Sequence, residues 1–246
     1  MTEIFKNETV DTLSRLNLKI IQKKDGYRFS LDAILLADFT SKFILPGAFV
    51  LEFGTGSGVI PITLASKIGD IRIIGLEIQE DLCEMAKRSV KLNKLEDKIK
   101  IIKGDLKESS KIFKEQRFDI VIANPPYKPK KSGRINIDLQ KAIARHELEC
   151  NLKELVKASS FLTKVKGRVI LIYSPERISV LIYELRTNGF EPKHIRFIHS
   201  FTHSEAKMVL IESVKGGRPG VKVLPPLVVY KGRGDYSEEV KKIYHF

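Results

Sequence analysis

Short apolar runs alternate along most of the chain with stretches whose apolar residues recur at helical spacing. The runs are rich in isoleucine and valine and end at glycine, proline or acidic residues, as buried strands do. Strands are predicted at 48–53, 71–76, 99–103, 119–123, 169–173, 193–198 and 207–214, and helices after Gly58, over 80–92, within 141–161 and from Pro175 to Asn188. This alternation predicts an α/β fold built on a largely parallel sheet.

The segment before the first of these strands has a different pattern. Residues 18–22 alternate as a strand, and we predict a hairpin in which they pair with residues 27–29 across a turn. Ser30 then stands at the N-cap of a helix that has Asp32 in its first turn. The helix dipole favours a carboxylate at that position, so Asp32 fits a helix-start acid as well as a ligand.

Length and composition set the size of the fold. The chain has 246 residues, of which 43% are hydrophobic, and this is room for one large α/β domain. Because no break in composition separates its parts, we predict a single domain, 1–246, with an N-terminal extension (1–45) and a core (46–246). The apolar runs are too short to span a bilayer, and the start lacks signal-peptide character. We therefore expect a cytoplasmic protein that is not in a membrane.

The first core strand runs into Gly54-Thr55-Gly56-Ser57-Gly58, and a helix follows. Glycines let the backbone pass close to a ligand, and the helix start offers free amides. A dinucleotide-binding fingerprint requires glycine where this chain has Val59. A phosphate-binding loop requires a Lys-Ser or Lys-Thr pair, which is missing, so the sequence disfavours both of these ligand-binding motifs. Glu77 ends the second strand and is predicted to bind ribose hydroxyls, while Asp105 ends the third and is predicted to accept from an adenine amino group.

The fourth strand runs into Asn124-Pro125-Pro126-Tyr127. Each proline has a fixed φ and no backbone N–H, so the carbonyls of this corner point in set directions. A bare Asn-Pro usually marks a simple turn, but the second proline, the tyrosine and the upstream glycines favour a ligand-binding corner. We expect Asn124, Pro125 and Tyr127 to contact the substrate.

The charge points to a polyanionic partner. The chain has 43 Lys and Arg against 30 Asp and Glu, a net charge of +13, which suits nucleic acid as well as it suits a generally basic surface. The loop after the corner favours nucleic acid, because four cations without an acid stand beside Tyr127 and are predicted to bind RNA phosphates: Lys128, Lys130, Lys131 and Arg134. Cys83 and Cys150 have no zinc-ligand spacing, so no metal is predicted.

In order, these motifs resemble the class I S-adenosylmethionine (SAM)-dependent methyltransferases. EFGTGSG at 52–58 is similar to their cofactor motif, Glu77 to their ribose acid, GDL at 104–106 to their adenine contact, and NPPY at 124–127 to the motif of enzymes that methylate amide or exocyclic amino nitrogens. The resemblance implies a SAM site that includes Glu52, Gly54, Thr55, Gly56, Gly58, Glu77, Asp105, Leu106 and Asn124.

A wider set of segments looks like the bacterial adenine-N6 methyltransferases that modify valine tRNA. It comprises RFSLDAILLADF at 28–39, ARHE at 144–147, SPER at 174–177, EAKMVLIESVKGGRPG at 205–220 and LPPLVVYKGRGDYSEEV at 224–240. This resemblance implies a Rossmann-like sheet of seven strands, mostly parallel with the last one antiparallel and with helices on both faces. It also implies that Phe29, Ser30 and Asp32 help to close the cofactor site.

Three functions are compatible with these observations. The first is methylation of adenine N6 in tRNA, in which the Asn124 side-chain oxygen and the Pro125 carbonyl accept the amino hydrogens and Tyr127 stacks on the base. The second is methylation of glutamine N5 in a release factor, which the same NPPY supports but the +13 charge weakens. The third is a non-catalytic RNA-binding protein, which the charge alone supports.

Overall fold

The computed structural model describes residues 3–13, 17–25, 28–125 and 152–244. Its strands are β1 (Glu8–Leu13), β2 (Leu18–Lys23), β3 (Ala48–Phe53), β4 (Ile71–Glu77), β5 (Ile99–Lys103), β6 (Phe118–Ala123), β7 (Thr163–Tyr173), β8 (Phe190–His199), β9 (Ala206–Lys215), β10 (Lys222–Val223), β11 (Leu227–Val228), β12 (Tyr230–Gly232) and β13 (Asp235–Tyr236). Its helices are α1 (Leu31–Ser41), α2 (Val59–Lys67), α3 (Glu80–Leu92), α4 (Ser109–Ile112), α5 (Leu152–Leu162), α6 (Ile178–Thr187) and α7 (Glu238–Tyr244), with 3₁₀ turns at Leu106–Glu108 and Pro175–Arg177.

The central sheet has the predicted arrangement. Seven strands follow the order β5-β4-β3-β6-β7-β9-β8, and β9 runs antiparallel to both of its neighbours. The prediction missed two short strands, β10 and β11, which pair parallel with β8 and extend the sheet to nine strands. Phe53 lies beside Leu76 and Ala123 in the register, so the segments that follow β3, β4 and β6 meet at one edge of the sheet. Ligands of open α/β sheets bind at that edge.

Helices cover both faces of the sheet, which explains why the central strands are apolar on both sides. Val50 belongs to a core cluster with residues of α1, α2 and α3, whereas the next residue, Leu51, belongs to a second cluster with residues of α5 and α6. This alternation follows from the two-residue period of a strand. No helix among the described residues is long and apolar enough to cross a membrane.

The predicted N-terminal hairpin exists, but its partner strand was wrong. Strand β2 pairs with β1, whose β-branched Thr9, Val10 and Thr12 suit a strand, and residues 28–30 are not in a strand. The hairpin docks on α3, since Ile21 N donates to Ser89 Oγ at 2.9 Å. The hydrophobic pattern missed β1 because few of its positions are buried. Helix α1 begins as predicted after Ser30, which is extended and makes no side-chain cap hydrogen bond within the described structure.

Candidate active site

A small cleft, open to solvent, lies at the carboxyl edge of the sheet. It brings together three parts of the chain that are far apart in sequence: the end of the N-terminal extension, the glycine turn after β3, and the end of β6. Its lining residues are Phe29, Ala33, Glu52, Gly54, Thr55, Gly56, Ser57, Val59, Ile60 and Asn124. Six of the predicted site residues are therefore in one cleft: Phe29, Glu52, Gly54, Thr55, Gly56 and Asn124.

The glycine turn lies against the end of β4 and leaves its other side open. Gly54 N and Thr55 N both donate to the Leu76 carbonyl, at 2.8 and 3.2 Å. Gly54 has φ +67°, and a Cβ there would meet nothing within 4 Å, so the turn needs glycine for its conformation and leaves space beside it. Gly58 caps α2 with φ +85°, and a Cβ there would lie 3.4 Å from the Ala86 Cβ, so it also lets α2 approach α3.

Two buried glutamates support this turn from below. Glu77 Oε2 accepts from Gly56 N at 2.8 Å and its Oε1 accepts from Gln79 N at 3.0 Å, while Glu52 accepts from Thr55 Oγ1 at 2.5 Å. Burial raises the pKa of Glu77, and burial, opposed by the Thr55 hydrogen bond, raises the pKa of Glu52 to about 8. Within the described ranges neither carboxylate forms an ion pair.

The other predicted cofactor residues do not line the cleft, Leu106 among them. Asp105 follows β5, and its Oδ1 accepts from Lys107 N at 2.8 Å, which caps the 3₁₀ turn that begins at Leu106. Gly104 N donates to the Glu77 carbonyl at 2.9 Å, so the ends of β4 and β5 are joined. The cleft lining also omits Gly58, Glu77, Ser30 and Asp32.

At the end of β6, Asn124 is half-buried and lines the cleft, and the next residue, Pro125, is buried and does not line it. The remaining predictions for this region, on Tyr127, Lys128, Lys130, Lys131 and Arg134, lie outside the described residues.

Gln22, which no sequence motif marks, is the residue that holds Phe29 in the cleft. Gln22 of β2 is 2% exposed, and its Oε1 accepts from the Phe29 backbone N at 2.7 Å. The Gln22 amide in turn donates to Asp11, which also accepts from Arg28. The hairpin thus fixes the segment that enters α1. A buried glutamine in a strand was the available signal, but its partner cannot be deduced without the three-dimensional structure.

This fold and this edge of the sheet are those of a class I SAM-dependent methyltransferase. Residues 30–151, which run from the start of α1 past the end of β6, match the family model described as methyltransferase small domain. The chain is therefore a SAM-dependent methyltransferase, and it carries this domain.

Among curated proteins, the chain resembles the tRNA1(Val) (adenine(37)-N6)-methyltransferases. It is 29% identical over 201 residues to the one from Porphyromonas gingivalis, covering 78% of this chain and 76% of the relative. It is 25% identical over 228 residues to that of Actinobacillus pleuropneumoniae, covering 91% of both chains.

Among solved structures, a predicted O-methyltransferase from Agrobacterium tumefaciens superimposes with a TM-score of 0.70 at 20% identity. The match covers 87% of this chain and 95% of that one. At this identity the likeness supports the fold alone.

Proposed function

We propose that this protein transfers a methyl group from SAM to N6 of an adenine in tRNA. The observation that carries the proposal is that Asn124, the first residue of NPPY, lines the same cleft as the glycine turn and Phe29. A methyl donor held by the turn and an amino group held by Asn124 would then meet in one place. The curated relatives, which are named as tRNA adenine-N6 methyltransferases, support adenine as the target.

The residues around the cleft fit SAM. The cofactor carries a sulfonium and an ammonium group, and these positive charges would favour the ionised form of the two buried glutamates, which have no cationic partner among the described residues. We assign the ribose hydroxyls to Glu77, the adenine amino group to Asp105, and the adenine surroundings to Leu106. The backbone of the glycine turn would contact the cofactor at Gly54, Thr55, Gly56 and Gly58, and Glu52 would lie beneath the turn. The site would be closed by Phe29, Ser30 and Asp32.

The proposed chemistry relies on positioning. SAM supplies a methyl group on a sulfonium leaving group, so the protein does not have to activate the donor. The nitrogen of the target is a poor nucleophile because its lone pair is delocalised into the ring. The Asn124 side-chain oxygen and the Pro125 carbonyl accept its two hydrogens and turn the lone pair towards the methyl group, while Tyr127 stacks on the flipped base. The product proton leaves to solvent, so no strong general base is needed.

The charge of the chain supports an RNA substrate over a protein one. A net charge of +13 attracts a polyanion, and we assign phosphate contacts to Lys128, Lys130, Lys131 and Arg134. We further propose that residues 1–246 act as one domain, with 1–45 as the part that closes the cofactor site, and that the enzyme works in the cytoplasm with its substrate.

Competing substrates test the proposal. The purified protein is given SAM with a labelled methyl group and either tRNA transcripts without modifications or a release-factor peptide that contains the target glutamine. We expect label in tRNA, in N6-methyladenosine after digestion to nucleosides, and none in the peptide. Label in the peptide alone would favour the glutamine reading, and label in neither substrate would contradict both enzymatic readings.

A further inference from the structure

A short turn after β8 presents an aromatic side chain to solvent at the carboxyl edge of the sheet. Phe201 is 42% exposed, yet its backbone is well held. Its N–H donates to Ser204 Oγ at 3.0 Å, and its carbonyl accepts from Ser204 N at 3.0 Å. His199 Nδ1 donates to the Ser204 carbonyl at 2.7 Å. The turn therefore fixes the backbone that carries the exposed ring.

The ring of Phe201 is backed by a row of three tyrosines. Its centroid is 5.6 Å from that of Tyr230, Tyr230 is stacked on Tyr236 at 5.2 Å, and Tyr236 is stacked on Tyr244 at 6.3 Å. The tyrosines are half-buried and pack against the core, so Phe201 is the exposed end of this aromatic ladder. A backbone bond from Tyr230 N to the Ser200 carbonyl, 2.9 Å long, ties the ladder to the turn.

The position of the ladder relates it to the candidate active site. Strand β8 is parallel to β6 and lies three places away in the sheet, so the turn after β8 and Asn124 after β6 are at the same edge. Three strand spacings of roughly 4.8 Å separate them by about 14 Å. This corresponds to about four nucleotides at the roughly 3.4 Å rise of a stacked strand.

Charge around the ladder favours a nucleic acid as its partner. Lys207 lies in β9 just after the turn, and Arg233 lies between β12 and β13, which carry two of the tyrosines; both are exposed, and neither forms an ion pair within the described structure. Two acids nearby are neutralised, since Asp235 of β13 pairs with Lys241 at 2.8 Å and Glu238 of α7 with Lys231 at 2.6 Å. Glu205 is the exposed acid of the turn itself, so the two unpaired cations outnumber it. Exposed aromatic rings combined with unpaired cations are what single-stranded nucleic acid uses to stack its bases and bind its phosphates.

We propose that Phe201 stacks on an unpaired base of the RNA substrate, a few nucleotides from the base that is methylated, with Lys207 and Arg233 at the adjoining phosphates. This inference rests on the proposed function, because it takes RNA as the substrate. Phe201 would act by binding RNA and would have no part in the chemical step.

The test compares Phe201→Ala and Phe201→Tyr with the wild-type protein. For each protein we measure the affinity for unmodified tRNA, the methylation rate at saturating tRNA, the SAM affinity and the thermal midpoint of unfolding. Base stacking of 1–3 kcal/mol predicts that Phe201→Ala weakens tRNA binding about 5- to 150-fold. The rate at saturation, SAM affinity and thermal midpoint should stay close to wild type, and Phe201→Tyr should bind tRNA normally.

Tyr183→Ala is the matched control, since Tyr183 is an aromatic residue on α6 with 65% exposure. Unchanged tRNA affinity in Phe201→Ala, or an equal loss in Tyr183→Ala, would overturn the inference while wild-type methylation of tRNA still supported the proposed function. Phe201-dependent tRNA binding without methylation would support the inference and contradict the proposed function. Absence of tRNA binding by the wild-type protein would overturn both.

Discussion

The buried glutamates of this sheet occur in two environments that differ in their hydrogen-bond donors. Glu212 of β9 is fully buried between two cationic or ionisable partners, as it accepts from Arg168 and lies 2.9 Å from His194 Nδ1. Glu52 and Glu77 are nearly as buried, but their hydrogen-bond donors are the Thr55 hydroxyl and backbone amides. Burial accordingly raises the pKa of both Glu52 and Glu77.

This difference in hydrogen-bond donors distinguishes a glutamate that stabilises the fold from glutamates that bind a ligand. A buried carboxylate that pairs with an arginine of a neighbouring strand holds the strands together, whereas buried carboxyl groups with neutral donors beside a cleft cost folding free energy that ligand binding can offset. On this basis we assign Glu212 to the stability of the sheet and the other pair to the cofactor.

The largest effect should follow from Glu212→Gln, which leaves Arg168 and His194 without their buried partner. Arg168 stays partly solvated, but Glu212 is buried, and each hydrogen bond to a charged group contributes about 1.5–3 kcal/mol, so we expect the free energy of unfolding in urea to fall by about 3 kcal/mol. SAM affinity of the folded variant should not change. The control is Glu238→Gln, because its ion pair with Lys231 is exposed and screened by solvent, so its loss should leave the stability close to that of the wild type. If the two variants are equally stable, Glu212 does not stabilise the sheet.

Glu77→Gln should have the next largest effect, on cofactor binding. Hydrogen bonds to a charged group contribute about 1.5–3 kcal/mol, so calorimetric titration should show SAM binding weakened about 10- to 150-fold. Glu80→Gln is the control, since Glu80 lies at the start of α3 with an exposed side chain that pairs with Lys103. If both variants bind SAM like the wild type, Glu77 has no role in the cofactor site.

Measured per pH unit, the smallest effect is a pH dependence caused by Glu52. Its pKa is about 8 in the folded protein and near 4.5 in the unfolded chain, so between these values the folded state holds a proton that the unfolded state has lost. The free energy of unfolding without cofactor should therefore fall by about 1.4 kcal/mol for each pH unit between about pH 5 and pH 8. Subtracting the curve of Glu52→Gln isolates this contribution, because that variant keeps the other titrating groups. Parallel curves for the two proteins would exclude the raised pKa.

The core elements could be predicted from the sequence because their signals are local. Strands β3 and β5 and helix α3 have the predicted bounds, since each combines a clear apolar period with glycine, proline or acidic residues at its ends. The positions of Glu77 and Asn124 at one sheet edge also follow from parallel pairing.

The missed features depend on contacts between distant residues. Strand β1 has few buried positions, and β10 and β11 are two residues long, so none of them has a readable period. The bond from Phe29 to Gln22 and the cluster around Glu212 join different elements, and no spacing along the chain predicts such bonds.

The most direct test of the central claim measures methyl transfer and SAM binding together in wild type and Asn124→Ala. Methyl transfer from SAM to unmodified tRNA is followed by mass spectrometry of the digested nucleosides, and SAM affinity by calorimetry. If Asn124 orients the adenine amino group towards the methyl donor, the wild-type protein forms N6-methyladenosine and the variant forms it at least about 100-fold more slowly. The SAM affinity of the variant stays within about twofold of the wild-type value. Full activity of Asn124→Ala would contradict the account.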